Sequence, residues 1–244
     1  LNGLSFIALI VSMNRIKSDL SARSREPQPL KDLVFEGMLY TMRDIRLRTL
    51  FWLEAITASF GTIYVPLLPA FVEQVMGLQK EGAKAALGLC YTFVGIGAFA
   101  GLIFVTSFSD RPWKKHIIRF SMVAITISLV LMTLSKSQWV IYPCLTALGA
   151  CTVAQFNTTN ALFQLLTPDK LRGRVLAMHI WGLNGLSPFG VLFFGWLANA
   201  TRLNPSFHFR GAIYTLSTSG VSLAYQGAAA LVAVGACAIS GGPF

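Results

Sequence analysis

The stretch AALGLCYTFVGIGAFAGLIFVTSF, residues 85–108, runs for 24 residues without a charge. It is followed at once by SDRPWKKHIIR, residues 109–119, which holds four basic side chains. About 20 apolar residues suffice to cross the hydrocarbon core of a bilayer. A run of that length closed by a cluster of Lys and Arg reads as a membrane span with a cytoplasmic loop at its end.

The same grammar repeats on both sides. Of the 20 Lys and Arg residues, 15 fall in three segments: eight in Arg15–Arg48, four in Arg111–Arg119 and three in Lys170–Arg174. The other five, Lys80, Lys84, Lys136, Arg202 and Arg210, lie in the alternate gaps. This alternation is the positive-inside pattern. It predicts six full spans: Leu50–Phe71, Ala85–Phe108, Ile117–Ser135, Val140–Leu166, Val175–Ala200 and Val221–Ser240. Odd spans then run outward, even spans return, and the C-terminus is cytoplasmic. The fold class expected is an all-α polytopic membrane bundle.

Composition fits. Hydrophobic residues make up 54% and charged residues 12% of the 244, with mean hydropathy +0.61. The net charge of +10 would suggest nucleic acid in a soluble protein. Here the basic residues flank apolar spans, so topology accounts for them and no nucleic-acid partner is expected. Cys90, Cys144, Cys151 and Cys237 all fall inside spans. Cys144 and Cys151 are separated by about 10 Å along one helix, beyond disulfide reach. No CxxC, HExxH or His/Cys cluster is present, and no catalytic set, cofactor or metal is expected.

The chain divides into three parts. Residues 1–14 read as the end of a preceding transmembrane helix, so the chain is expected to be the C-terminal portion of a longer protein. Residues 15–48 read as a cytoplasmic linker followed by an amphipathic helix: Ser-Arg-Glu-Pro-Gln-Pro is loop chemistry, and Leu30, Leu33, Val34, Gly37, Met38 and Thr41 then recur near helical spacing. Residues 49–244 read as the six-helix transmembrane domain.

Residues 164–174 read Gln-Leu-Leu-Thr-Pro-Asp-Lys-Leu-Arg-Gly-Arg, and a helix rich in Gly with Pro188 follows. This resembles the major facilitator superfamily, most closely its bacterial exporter branch of the siderophore-exporter and transmembrane-secretion-effector type. There a Q-x-x-x-P-x-x-x-R-G-R stretch joins the tenth and eleventh helices. Ser-Asp-Arg-Pro-Trp-Lys-Lys at 109–115 is similar to the basic loop between helices eight and nine, although Thr106 and Trp113 stand where that loop usually has glycines. Residues 36–44 and Pro69-Ala-Phe-Val look like the two ends of helix seven. The segment Arg202–Gly220 is longer than the family's last external loop.

The resemblance implies helices seven to twelve of twelve, built as two inverted three-helix repeats in a bacterial inner membrane. It implies a missing N-terminal six-helix half as partner and a small-molecule substrate. The activity implied is ion-gradient-driven export of small amphipathic or hydrophobic compounds by alternating access. An inactive or accessory six-helix fragment stays open as the alternative.

Within that frame the substrate-pathway candidates are Glu54, Gln155, Asn157, Asn160 and Asn184. Glu54 is the only acid deep in a span, and it reads either as a functional carboxylate or as an interfacial acid reaching water or an arginine. Asn157, Asn160 and Gln164, spaced i, i+3, i+7, share one helix face. That face must meet protein or water, because lipid cannot satisfy an amide; cavity wall and interhelical hydrogen bonding both fit. His179 reads either as a group that titrates in a cavity or, more readily, as a satisfied packing histidine. The loop residues Asp110, Arg111, Lys114 and Lys115, with Arg172, Gly173 and Arg174, are candidates for the conformational-switch loops that the family uses to hold one access state. Gly97-x-x-x-Gly101 and the glycines of the fifth span permit close helix contact or bending.

Overall fold

The computed structural model describes residues 7, 10–12, 30–77, 80–107, 113–135, 137–200, 206–209, 212–215 and 220–240. Two compact units divide the chain at Val34/Phe35. The first is helical at Ile7 and Ile10–Ser12, all exposed. Most of the linker expected after Arg15 lies outside the described residues, as do Asp110 and Arg111.

Residues 35–244 form the helical bundle. Helix α1 (Leu30–Arg43) leads into it. It turns Gly37 and Thr41 inward and leaves Phe35, Met38 and Leu39 exposed, the one-sided pattern of a helix lying along a surface. Asp44 ends it by leaving helical geometry and capping α2 (Ile45–Ile56): its carboxylate accepts from the amides of Arg46 at 2.8 Å and Leu47 at 3.3 Å.

Helix α2 continues through a π-helical turn, Thr57–Gly61, into α3 (Tyr64–Gln74), so the first span is one apolar rod, Ile45–Gln74. The turn has an identifiable origin. Pro66 has no N–H, and its ring excludes the carbonyl four residues back, that of Thr62. The amide of Thr62 reaches back five residues, to the Thr57 carbonyl at 3.1 Å. Thr57 and Thr62 also bond their own i−4 carbonyls through their hydroxyls, a habit that bends helices.

The remaining spans are α4 (Lys80–Ser107), α5 (Lys114–Leu134), α6 (Gln138–Leu166), and α7 (Arg172–Gly185) with α8 (Ser187–Ala200). Helix α9 (Gly220–Ser240) follows, apolar over Val221–Cys237. Among the described residues, five rods are long and apolar enough to cross a membrane, with α9 as the shorter sixth. These are the six spans expected from hydropathy, each within a few residues of its predicted ends except at the first two, whose helices begin five residues earlier. The chain is a polytopic membrane bundle. One departure stands out: residues 206–209 and 212–215 form an antiparallel hairpin, β1 and β2, with Phe207 opposite Tyr214, in the segment expected to be a strandless loop. Alternation of Phe207, Phe209, Ile213 and other residues around Arg210-Gly211 is the hairpin signal that the hydropathy reading passed over.

Close helix contact is made by small residues, as expected. A Cβ on Gly97 would lie 2.7 Å from the Thr146 carbonyl carbon, and one on Gly101 would lie 2.8 Å from Ala150 Cα. Gly149 of α6 answers with the same approach to the Val94 carbonyl. Helix α4 and helix α6 therefore touch backbone to backbone. Gly190 of α8 packs likewise on the Ser59 carbonyl, while Gly95 and Gly195 face open space. The outer faces carry Phe99, Phe104, Phe120, Leu192 and Trp196 exposed, which is what a helix presents to hydrocarbon.

Candidate functional site

The bundle interior holds a polar cluster in the middle of its apolar core. Glu54, nine residues into α2, is 1% exposed, and His179, seven residues into α7, is 4% exposed. Their side chains meet: His179 Nδ1 lies 2.5 Å from Glu54 Oε2. The interfacial alternatives for Glu54, water or an arginine, are thereby replaced by a buried imidazole 125 residues away in sequence. His179 is correspondingly not a plain packing histidine, although the Phe163 ring does lie against it, centroids 5.2 Å apart. The other carboxylate oxygen, Oε1, is buried and has no hydrogen-bond partner.

One turn further along the first span, Gln155 of α6 joins the cluster. Its Nε2 donates to Thr57 Oγ1 at 2.7 Å, and that hydroxyl donates to the Leu53 carbonyl at 3.1 Å. Gln155 is fully buried and its Oε1 has no partner. Three spans thus converge on Glu54, Thr57, Gln155 and His179. The cluster lies beside two helix irregularities: the π turn begins three residues after Glu54, and α7 gives way to α8 at Leu186, whose carbonyl accepts from Ser59 at 3.1 Å. π turns inside α-helices occur often at functional sites.

The sequence contained one sign of this pairing. Both odd-numbered spans start on the same side, and their side chains sit about 10–14 Å above those starts at 1.5 Å per residue. Matching depth was legible; facing direction was not.

The polar series of α6 divides into two faces. Gln155 and Thr158 turn inward. Asn157 and Gln164 are exposed and Asn160 is half-buried, so the i, i+3, i+7 face expected is real and points away from this bundle. Gln164 Nε2 donates to Asn160 Oδ1 at 2.6 Å, and Asn157 Nδ2 to the Val153 carbonyl at 2.9 Å. Asn184 of α7 is also exposed and bonds the Ile180 carbonyl. These amides find partners on their own helices, and among the described residues none of them bonds a neighbouring span.

At the predicted cytoplasmic end, Arg174 pairs with Glu36 of α1, and a Cβ on Gly37 would lie 2.9 Å from the Arg174 carbonyl oxygen. Helix α1 is held against the start of α7 by this ion pair and by glycine contact. Arg172 instead pairs locally with Asp169 at 2.6 Å, both exposed. Gly173 faces open space. Lys114 and Lys115 open α5. No group of three or more potential metal ligands occurs among the described residues.

Comparison with known proteins gives one family. A major facilitator family model described as transmembrane secretion effector matches residues 1–237. No curated protein and no solved structure matches the chain.

Proposed function

The chain belongs to the transmembrane secretion effector family of major facilitators, and from that premise we propose that it is the C-terminal half of a secondary active exporter. Six spans are arranged as two inverted three-helix repeats, working by alternating access against an N-terminal six-helix half. The substrates are small amphipathic or hydrophobic compounds and the energy comes from an ion gradient. The membrane is the bacterial inner membrane, with the basic loops and the C-terminus in the cytoplasm.

The observation that carries this reading is the exposed amide face. Asn157 and Gln164, with the half-buried Asn160 beside them, project from α6 and Asn184 projects from α7, and the exposed neighbours Leu165, Ile180 and Trp181 are apolar. An amide facing hydrocarbon costs several kcal/mol. Such a face is tolerable where it meets water or another protein surface, which is what the wall of a central path between two halves would give it.

Efflux is the test. Cells expressing the full-length protein should expel members of a panel of lipophilic cations and neutral amphiphiles against a gradient, and cells expressing residues 1–244 alone should not. Export by neither would leave the accessory-fragment reading. Reporter fusions after Gly77 should report the exterior and fusions after Asp169 the cytoplasm; a fusion on the opposite side would overturn the orientation.

A further inference from the structure

We propose that the Glu54–His179 pair is a proton-binding site, loaded from one side of the membrane and unloaded on the other. The proposal rests on the transporter reading and names its coupling ion and the residues that carry it.

The geometry sets the terms. Nδ1 and Oε2 stand 2.5 Å apart, and two lone pairs cannot face each other at that separation, so at least one proton lies between them. In the unloaded form a neutral imidazole donates Nδ1–H to a carboxylate, and the pair carries one net negative charge. Loading adds one proton from water, onto Oε1 or onto Nε2, and the pair becomes net neutral. Only an O–H or N–H bond forms, and no electrons move. Oε1, which has no partner, is an acceptor held in reserve.

The surroundings leave the pair to itself. Among the described residues, His179 is the titratable group that acts on Glu54 through charge and hydrogen bond. Helix α6 presents Thr152, Gln155 and Thr158 from its buried face, none of them charged, with Cys144 and Cys151 the thiols there. The π turn carries no titratable residue, and α9 brings Gly235 against Ile56. The nearest cation on α7, Arg174, is engaged by Glu36.

A proton suits this site better than a metal cation. Oε2 is already taken by the imidazole nitrogen, and a bound cation would have to compete with that bond and gather several oxygens from side chains that bond elsewhere.

Burial then makes the site a coupling device. A net charge in a dry bundle is costly, and a neutral pair much less so. The site can close over when loaded, and unloading needs water to reach it. The change of charge falls on α2 three residues before its π turn and on α7 seven residues before its break at Leu186, so it acts on two rods that each carry an irregularity where bending is easiest.

The experiment uses the full-length protein in proteoliposomes. Infrared difference spectra between acid and alkaline pH should show pH-dependent carboxyl and imidazole bands that both disappear in Glu54→Gln and in His179→Gln. With ethidium as probe, a one-unit pH gradient should drive up to about tenfold accumulation per coupled proton in the wild type. In Glu54→Gln, ethidium should only equilibrate across the membrane. Glu54→Asp should recover the infrared titration if Glu54→Gln assembles poorly. Bands that persist in both Gln variants, gradient-driven accumulation by Glu54→Gln, or export that follows a sodium gradient at fixed pH would overturn the proposal. A wild type that titrates as described yet moves no ethidium would support the proton site while counting against the exporter reading.

Discussion

Replacing Gly97 with Ala tests one of the bundle's tightest contacts. The new Cβ would lie 2.7 Å from the Thr146 carbonyl carbon and 2.9 Å from Thr146 Cα. Carbon atoms pack best at about 3.5–4.0 Å, so α4 and α6 must part by about 1 Å, a gap that forfeits a quarter to a half of each dispersion contact along the seam. Overpacking of this kind typically costs about 1–3 kcal/mol. Gly101 and Gly149 sit on the same seam, so a second substitution there should cost less than the first, because the helices have already moved. Gly95→Ala is the control: it lies on the same helix with open space beside it, and Ala in a helix interior should be stabilising by up to about 1 kcal/mol. Denaturant titration of the purified protein in detergent measures both. The reasoning fails if Gly97→Ala and Gly95→Ala shift the midpoint in the same direction by the same amount.

Two more substitutions address the site and its cytoplasmic end. Thr57→Val should destabilise by about 1–3 kcal/mol, since it leaves the buried Gln155 amide with no acceptor, whereas Thr57→Val combined with Gln155→Leu should recover part of that loss; additive losses in the same detergent titration would contradict the pairing. Arg174→Gln should lower transport by the full-length protein more than Arg172→Ala, with membrane abundance nearly unchanged in both, because Arg174 holds Glu36 of α1 while Arg172 reaches only Asp169 in an exposed pair worth at most about 0.5 kcal/mol. Equal transport rates would reduce the contact between Arg174 and Glu36 to an ordinary surface charge pair.

How far the sequence speaks depends on the kind of force involved. Span positions follow from the length of uncharged apolar runs, a one-dimensional signal, and all six were legible. The Gly97-x-x-x-Gly101 contact was legible because small residues four apart leave few other uses. The shared face of Asn157, Asn160 and Gln164 follows from helical period alone. The division between that face and Gln155 did not, because which side of α6 turns inward depends on neighbours 98 residues away in sequence. His179 was missed for the same reason: a lone histidine in a span says nothing of its partner until α2 and α7 are brought together. The π turn at Thr57–Gly61 had its cause in view, Pro66, but a proline five residues beyond a bend reads equally well as a kink in an α-helix. The hairpin at 206–215 was masked by the assumption that everything between spans is loop.

The most direct test of transport through this chain is thiol labelling of single cysteines in the full-length protein, in a background lacking Cys90, Cys144, Cys151 and Cys237. Asn157→Cys, Asn160→Cys and Asn184→Cys should react with a membrane-impermeant maleimide, because an exposed amide face in a span must meet water or protein rather than lipid. Gln155→Cys and Thr158→Cys, buried in the bundle, should stay unreactive, and the side from which the first three are reached should change when the ion gradient is reversed. Labelling at all five positions alike, or at none of the first three under either gradient, would contradict a water-filled path along this face.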